Sequence, residues 1–82
     1  MIIIDIKVPA LEKVYNFSVE EKAKVSDLIE EVVELISQKE RLAFSGDLEE
    51  MVLCCVESGV QCDRNRTLSD YGISGGSELI LV

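Results

Sequence analysis

The 82-residue chain is long enough for one domain with one hydrophobic core, and its composition is globular, with 48% apolar and 29% charged residues. A formal net charge of −8 disfavours nucleic acids and anionic membrane surfaces, which are bound through clusters of Lys and Arg. No apolar run approaches the roughly 20 residues of a membrane-spanning helix, and no basic leader precedes the opening isoleucines. We therefore expect a cytoplasmic protein without direct membrane insertion.

Residues 2–19 predict a β-hairpin. Residues 2–8 and residues 13–19 both alternate between two faces, with many β-branched side chains, which is typical of half-buried strands. Pro9 follows the first run and ends it, since proline cannot donate a hydrogen bond to a sheet. One predicted face carries Ile2, Ile4, Ile6, Val8, Tyr15, Phe17 and Val19.

The pattern then changes to a helical period. Ser26 is the predicted N-cap, and Asp27 places an acid near the positive end of the helix dipole. Apolar residues recur at spacings of three and four, which predicts an amphipathic helix from about residue 26 to about residue 39. Its buried face consists of Leu28, Ile29, Val32, Val33 and Ile36.

The second half of the chain predicts a loop and further strands. Residues 40–50 are interpreted as a loop, residues 51–56 as a third strand and residues 60–62 as a short fourth strand. A single helical turn near residues 68–71 precedes a last strand at 77–82. The predicted fold class is α+β, a mixed four- to five-stranded sheet packed against one helix, in a single domain spanning residues 1–82.

Few residues bear chemistry. The three cysteines Cys54, Cys55 and Cys62 are an odd number without a secretion signal, which argues against a disulfide framework. They lack the paired spacing and the fourth ligand of a zinc site, so we interpret them as small apolar strand residues and expect no metal and no cofactor. The chain has no histidine, and its clustered glutamates lie on a predicted helix surface. We therefore predict no catalytic site.

The segment Arg66-Thr67-Leu68-Ser69-Asp70-Tyr71-Gly72-Ile73, followed by residues 77–82, resembles the C-terminal third of ubiquitin, and residues 26–32 resemble the start of ubiquitin's helix. This resemblance implies a ubiquitin-like β-grasp fold. Within the turn, Leu68 and Ile73 are expected to enter the core, and Gly72 to take a left-handed conformation. The Tyr71 ring is expected to be buried, with its hydroxyl bonded to a nearby backbone group.

The chain departs from ubiquitin and the related sulfur carriers at its end. Those proteins continue past the last strand to a terminal Gly-Gly, whereas this sequence stops at Val82 and places Gly75-Gly76 before the strand. We therefore expect no conjugation. The alternatives are a modifier or sulfur carrier whose diglycine tail is missing from this chain, and a ubiquitin-like domain excised from a larger adaptor.

A free-standing chain with a Leu-Ser-Asp-x-Gly-Ile turn at residues 68–73 is most similar to the YukD-type proteins. These are ubiquitin-like accessory proteins of bacterial type VII secretion systems. The resemblance implies a cytoplasmic, non-conjugated component that contacts a protein partner, for which the membrane secretion machinery is the candidate.

Strand alternation predicts an apolar patch on the sheet face away from the helix. If Leu79 and Leu81 point inward, Ile80 and Val82 point outward. In the third strand, if Leu53 and Cys55 point inward, Val52, Cys54 and Val56 point outward. A slip of one residue would exchange those two sets, so its register stays open. The patch predicts binding of a protein partner or homodimerisation. Its members are Ile3, Val52, Cys54, Ile80 and Val82.

Overall fold

A computed structural model describes residues 1–42 and 47–82. The strands are β1 (Ile2–Val8), β2 (Lys13–Val19), β3 (Leu53–Cys55) and β4 (Glu78–Leu81), and the α-helix is α1 (Val25–Glu40). The four strands form one sheet in the order β2-β1-β4-β3. β1 pairs with β4 in parallel, and the other two pairings are antiparallel. The predicted α+β class, with a mixed sheet and one helix, is confirmed.

The core lies between the sheet and α1. Alternate side chains of every strand point toward the helix. The apolar residues of α1 recur at spacings of three and four and form the face that packs on the sheet. Burying each large aliphatic side chain stabilises the fold by roughly 1.5–3 kcal/mol. The side chains that are at most 1% exposed are Ile4, Ile6, Val8, Val25, Ile29, Ile36, Leu68, Leu79 and Leu81.

The predicted N-cap of the helix is wrong. Lys24 is the N-cap, in an extended conformation and without a side-chain capping bond, and α1 begins at Val25. The N–H groups of Val25 and Ser26 donate instead to the carbonyls of Arg66 and Arg64, at 2.8 and 3.1 Å. A tertiary contact thus satisfies the free amides that a serine hydroxyl would otherwise cap.

The prediction of a fourth strand at residues 60–62 is also wrong. The segment forms a single antiparallel bridge between Cys54 and Gln61. Two 2.8 Å backbone bonds flank it, one from the Cys55 N–H to the Val60 carbonyl and one from the Cys62 N–H to the Leu53 carbonyl. A single bridge does not make a strand, so the sheet has four strands within the described residues.

The loop predicted at residues 40–50 begins later than expected, because α1 runs to Glu40. It contains a 3₁₀ turn at Leu48–Glu50, whose N-cap Asp47 accepts a 2.9 Å bond from the Glu49 N–H. Residues 43–46 of this predicted loop lie outside the described residues.

The turn that carries the ubiquitin resemblance has the predicted conformation, but the Tyr71 ring is only partly buried where the sequence predicted a buried ring. A 3₁₀ turn at Ser69–Tyr71 ends at Gly72, which has a φ of +68°. Leu68 and Ile73 are buried on either side of it. The Tyr71 hydroxyl accepts a 2.7 Å hydrogen bond from the Asp63 N–H and so ties the turn to the preceding loop.

Candidate protein-binding surface

The sheet face opposite α1, called here the outer face, carries exposed apolar side chains. Ile3, Val14 and Val82 are 56%, 57% and 59% exposed, and Ile80 is half-buried. Residues that alternate with them, such as Leu79, are buried against the helix. Neighbouring exposed apolar side chains on a small domain mark interaction surfaces, so the outer face is the candidate site.

The register left open for the third strand is settled by burial. Leu53 and Cys55 are 3% and 7% exposed and belong to the core. Cys54 is therefore on the outer face, directly opposite Ile80. The arrangement in which Cys54 points outward is the one that the structure contains.

Four of the predicted binding residues form two adjacent cross-strand pairs. Cys54 opposes Ile80, and Val52 exchanges two backbone hydrogen bonds of 2.7 and 2.9 Å with Val82. Partners of this type have Cα atoms roughly 5.5 Å apart, and alternate residues of one strand lie roughly 6.8 Å apart. The four side chains therefore form one compact cluster. We call Val52, Cys54, Ile80 and Val82 the apolar quartet.

Ile3, the fifth predicted residue, lies on the same face but apart from the quartet. Ile80 is the parallel partner of Lys7, and Ile3 is four residues away from Lys7 along β1. That separation corresponds to roughly 13 Å. A polar row lies between them, because Asp5 pairs with Glu78 in the same register. The structure therefore brings together four of the five predicted residues.

Lys7 and Val14 adjoin the quartet and were not predicted as site residues. Lys7 pairs with Ile80 on one side and with Val14 of β2 on the other, so the three side chains form one row across the outer face. Sequence alternation places Lys7 on the outer face, but only the parallel β1–β4 register places it beside Ile80. The row adds one positive charge at the margin of the apolar cluster.

Two carboxylates, one in the polar row and one just after β3, have defined hydrogen bonds. Asp5 accepts a 2.9 Å bond from the Asn16 side-chain amide. Glu57 accepts bonds from the Glu78 N–H at 3.1 Å and from the Cys55 Sγ at 3.2 Å. These bonds, the one from the backbone first, lower the pKa of Glu57. The Glu57 carboxylate thus links the end of β3 to the start of β4.

The diglycine of this sequence belongs to a turn. The Gly76 N–H donates a 2.8 Å bond to the Ile3 carbonyl, and Gly76 has a φ of +88°. Gly75 lies beside the same carbonyl, where an added Cβ would be at ordinary van der Waals distance, 3.9 Å. The diglycine is thus part of the turn that leads the chain into β4, and the left-handed φ of Gly76 is the feature that favours glycine there.

The cysteines are free thiols in two different settings. Cys54 is half-buried on the outer face, whereas Cys55 and Cys62 are in the core. Burial raises the pKa of Cys62 to about 11, which keeps it protonated and unreactive at neutral pH. Within residues 1–42 and 47–82, no three metal-ligating side chains come together.

An open acidic groove of about 670 Å³ lies between the start of α1 and the 3₁₀ turn at Leu48–Glu50. Asp27 and Glu30 line its helix side. Arg64 also lines it, and its guanidinium donates to the carbonyls of Leu48 and Met51, at 3.1 and 3.0 Å. Arg64 therefore joins the 3₁₀ turn to the start of α1, because its own carbonyl accepts a bond from the Ser26 N–H.

Comparison with known proteins gives the family. The model of the family described as "WXG100 protein secretion system (Wss), protein YukD" matches residues 3–81. The chain belongs to the YukD family. The YukD-type resemblance predicted from the turn at residues 68–73 is thus confirmed.

Solved structures support the fold of this YukD-family chain. A ubiquitin-like domain of an Arabidopsis thaliana protein, determined by solution NMR, superposes with a TM-score of 0.73 at 24% identity. The match covers 99% of this chain and 74% of the plant domain, and it shows a ubiquitin-like fold. No curated protein matches the chain significantly. In the part of the chain that the structure describes, no helix is long and apolar enough to cross a membrane.

Proposed function

We propose that this YukD-family chain is a non-catalytic, cytoplasmic interaction module of the WXG100 secretion system. In this proposal residues 1–82 act as one ubiquitin-like domain that binds a protein partner through the outer face of its sheet. The observation that carries the proposal is the apolar quartet, which stays at the surface while α1 covers the opposite face of the same strands. The candidate partner is a component of the membrane secretion machinery.

Burial of the quartet supplies the affinity in this proposal. Each half-buried aliphatic side chain still offers apolar area, at about 25 cal/mol per Å² removed from water. Interfaces concentrate their binding energy in a few central residues. Ile80 is the expected centre, because it touches the cross-strand partner Cys54 on one side and Lys7 on the other. Lys7 and the carboxylates around the cluster would select the partner's charges.

The test is co-purification of the tagged chain with the co-expressed components of the WXG100 system from the same genome. Ile80→Asp is expected to lose the partner while keeping its circular dichroism spectrum and cooperative unfolding. Leu35→Asp is the matched control, because Leu35 is 43% exposed on α1, away from the outer face, and the charge change is identical. Equal recovery of the partner with both variants would overturn the proposal. Ile3→Asp then shows whether the surface extends past the polar row.

We further propose that the protein is not conjugated to targets. The diglycine at Gly75-Gly76 supports this, since its backbone is bonded into the turn before β4. A conjugating tail needs an extended, unbonded diglycine whose carboxylate can enter an enzyme. Intact mass spectrometry of the protein from its natural host, with immunoblotting, is expected to show one species and no adducts of higher mass. Discrete adducts that disappear on deletion of the gene would favour the modifier instead.

A further inference from the structure

The sheet has one long edge without a backbone partner in the described residues. β2 stands at the end of the strand order, and its seven residues pair with β1 alone. At the other end, β3 is only three residues long, and the bridge to Gln61 covers its outer side. An unpaired edge of this length is a template for a further strand unless proline, a bulge or charge protects it. β2 contains no proline, and its register with β1 is unbroken.

The hydrogen bonds of β1 determine which groups of β2 face this edge. The Asp5 N–H donates to Ser77 and the Ile3 carbonyl accepts from Gly76, so the odd residues of β1 point their backbone groups toward β4. Its even residues therefore bond to β2, where their partners are the odd residues. The N–H and C=O groups of Val14, Asn16 and Ser18 consequently point out of the sheet.

These three residues are symmetric about Asn16. If a second copy of β2 lies antiparallel across a two-fold axis at Asn16, Val14 faces Ser18 of the second copy, and Asn16 faces Asn16. Each such pair exchanges two N–H···O=C bonds, so every outward group of both strands is satisfied. We propose that two copies of this chain pair through their β2 edges and form a continuous eight-stranded sheet.

Side chains and charge also suit a second copy. On the inner side, Tyr15 would face Phe17 of the second copy, and aromatic cross-strand pairs contribute roughly 0.2–1 kcal/mol. Phe17 is only partly buried in the single chain and would become more buried in the dimer. The chain has a net charge of −8, but β2 itself contains no acid. Glu12 and Glu20, which lie just beyond the ends of β2, would face each other across the two-fold axis, so like charges meet only at the two ends of the pairing. The quartet on β3 and β4 stays free, and the pairing is independent of the proposed function.

The first test is the mass of the wild-type chain by light scattering and sedimentation, over about a hundredfold range of concentration. The mass is expected to rise from 9.1 kDa to twice that value. Asn16→Pro removes an N–H that faces out of the sheet, so it should stay folded and remain monomeric. Asn16→Ala is the matched control, because it loses the same side-chain bond to Asp5 but keeps the N–H, and it should dimerise like the wild type.

A wild-type chain that stays monomeric at every concentration would overturn the proposal, as would an Asn16→Pro variant that dimerises. Hydrogen exchange gives a second measurement if the proline variant unfolds. The N–H groups of Val14, Asn16 and Ser18 should exchange more slowly as the concentration of the wild type rises. Those of Tyr15 and Phe17, which are bonded within the chain, should not change. Edge amides that exchange at one rate at all concentrations would refute the pairing.

Discussion

Lys7 and Ile80 lie side by side on the outer face of the sheet as partners of the parallel strands β1 and β4. The aliphatic part of Lys7 extends the apolar quartet toward Val14, and its ammonium group stands at the margin of the surface. A partner that covers Ile80 must therefore accommodate this positive charge. We expect the partner to place an acidic residue opposite it.

Lys7→Glu tests this expectation. The exposed position predicts a change of no more than about 0.5 kcal/mol in the free energy of unfolding. The affinity for the partner should fall roughly tenfold, which corresponds to about 1.4 kcal/mol. Lys7→Met, which keeps an aliphatic side chain, should lose less affinity for the partner than Lys7→Glu does. Titration calorimetry measures the affinity, and equal binding of the glutamate variant and the wild type would contradict the expectation.

Leu79 and Ile80 should differ sharply in their importance for stability. Leu79 is fully buried under α1, so Leu79→Ala should lower the free energy of unfolding by about 2–5 kcal/mol through lost burial and a cavity. Ile80→Ala, on the outer face, should cost roughly 1 kcal/mol. Urea denaturation at one pH measures both. A larger loss for the Ile80 variant would mean that the two faces of β4 are exchanged.

Tyr71→Phe isolates one hydrogen bond of the turn. The variant keeps the ring but leaves the Asp63 N–H without the 2.7 Å acceptor that the hydroxyl provides. The free energy of unfolding should fall by about 0.5–1.5 kcal/mol. Thermal and urea unfolding should agree on this loss. An unchanged stability would show that water replaces the hydroxyl at no cost.

Glu40 should make stability depend on pH. Bonds from the Lys13 ammonium at 2.8 Å and the Tyr15 hydroxyl at 3.0 Å, the first being the larger effect, lower the pKa of Glu40 below its ordinary 4.5. A carboxylate with a depressed folded-state pKa stabilises the fold above its unfolded pKa, and this contribution disappears as the pH falls through the folded value. Glu40→Gln should therefore be less stable than the wild type near neutral pH and approach it in acid.

The control for Glu40 is Glu34→Gln. Glu34 is exposed on the same helix, and no ion pair joins it within residues 1–42 and 47–82. Its replacement should leave the pH dependence of unfolding unchanged. If the free energy of unfolding of the two variants changed with pH in the same way, the Lys13–Glu40 pair would not contribute to the loss of stability in acid.

The cysteines should react in a fixed order. Cys54 is half-buried at the surface, whereas Cys62 is 3% exposed with a pKa raised to about 11. The thiolate is the nucleophile, so alkylation of the native protein with iodoacetamide should label Cys54 first and Cys62 last. Mass spectrometry of the digested protein reads the order. Early labelling of Cys62 would place it outside the core.

Sequence alternation was sufficient for β1, β2 and the helix, because each has a buried face with a clear period. The third strand, predicted at residues 51–56 without a register, forms only at Leu53–Cys55. Residues 2–8 and 13–19 match β1 and β2. The helix bounds agree with the prediction to within one residue, but its N-cap was wrong, because the carbonyls of Arg66 and Arg64 accept bonds from its first amides in place of the Ser26 side chain. The strand predicted at residues 60–62 was wrong too, since a local apolar run does not reveal how many ladder bonds a short turn permits.

The candidate site was likewise predicted in part. That Val52, Cys54, Ile80 and Val82 share a face follows from the period of two in each strand, once burial of Leu53 and Cys55 settles the register. The sequence by itself determined the fold class, the family resemblance and the polarity of each face, since these depend on local periodicity and on motifs. Only the tertiary structure decided that Lys7 joins the quartet and Ile3 does not, because strand register is a contact between segments far apart in the chain.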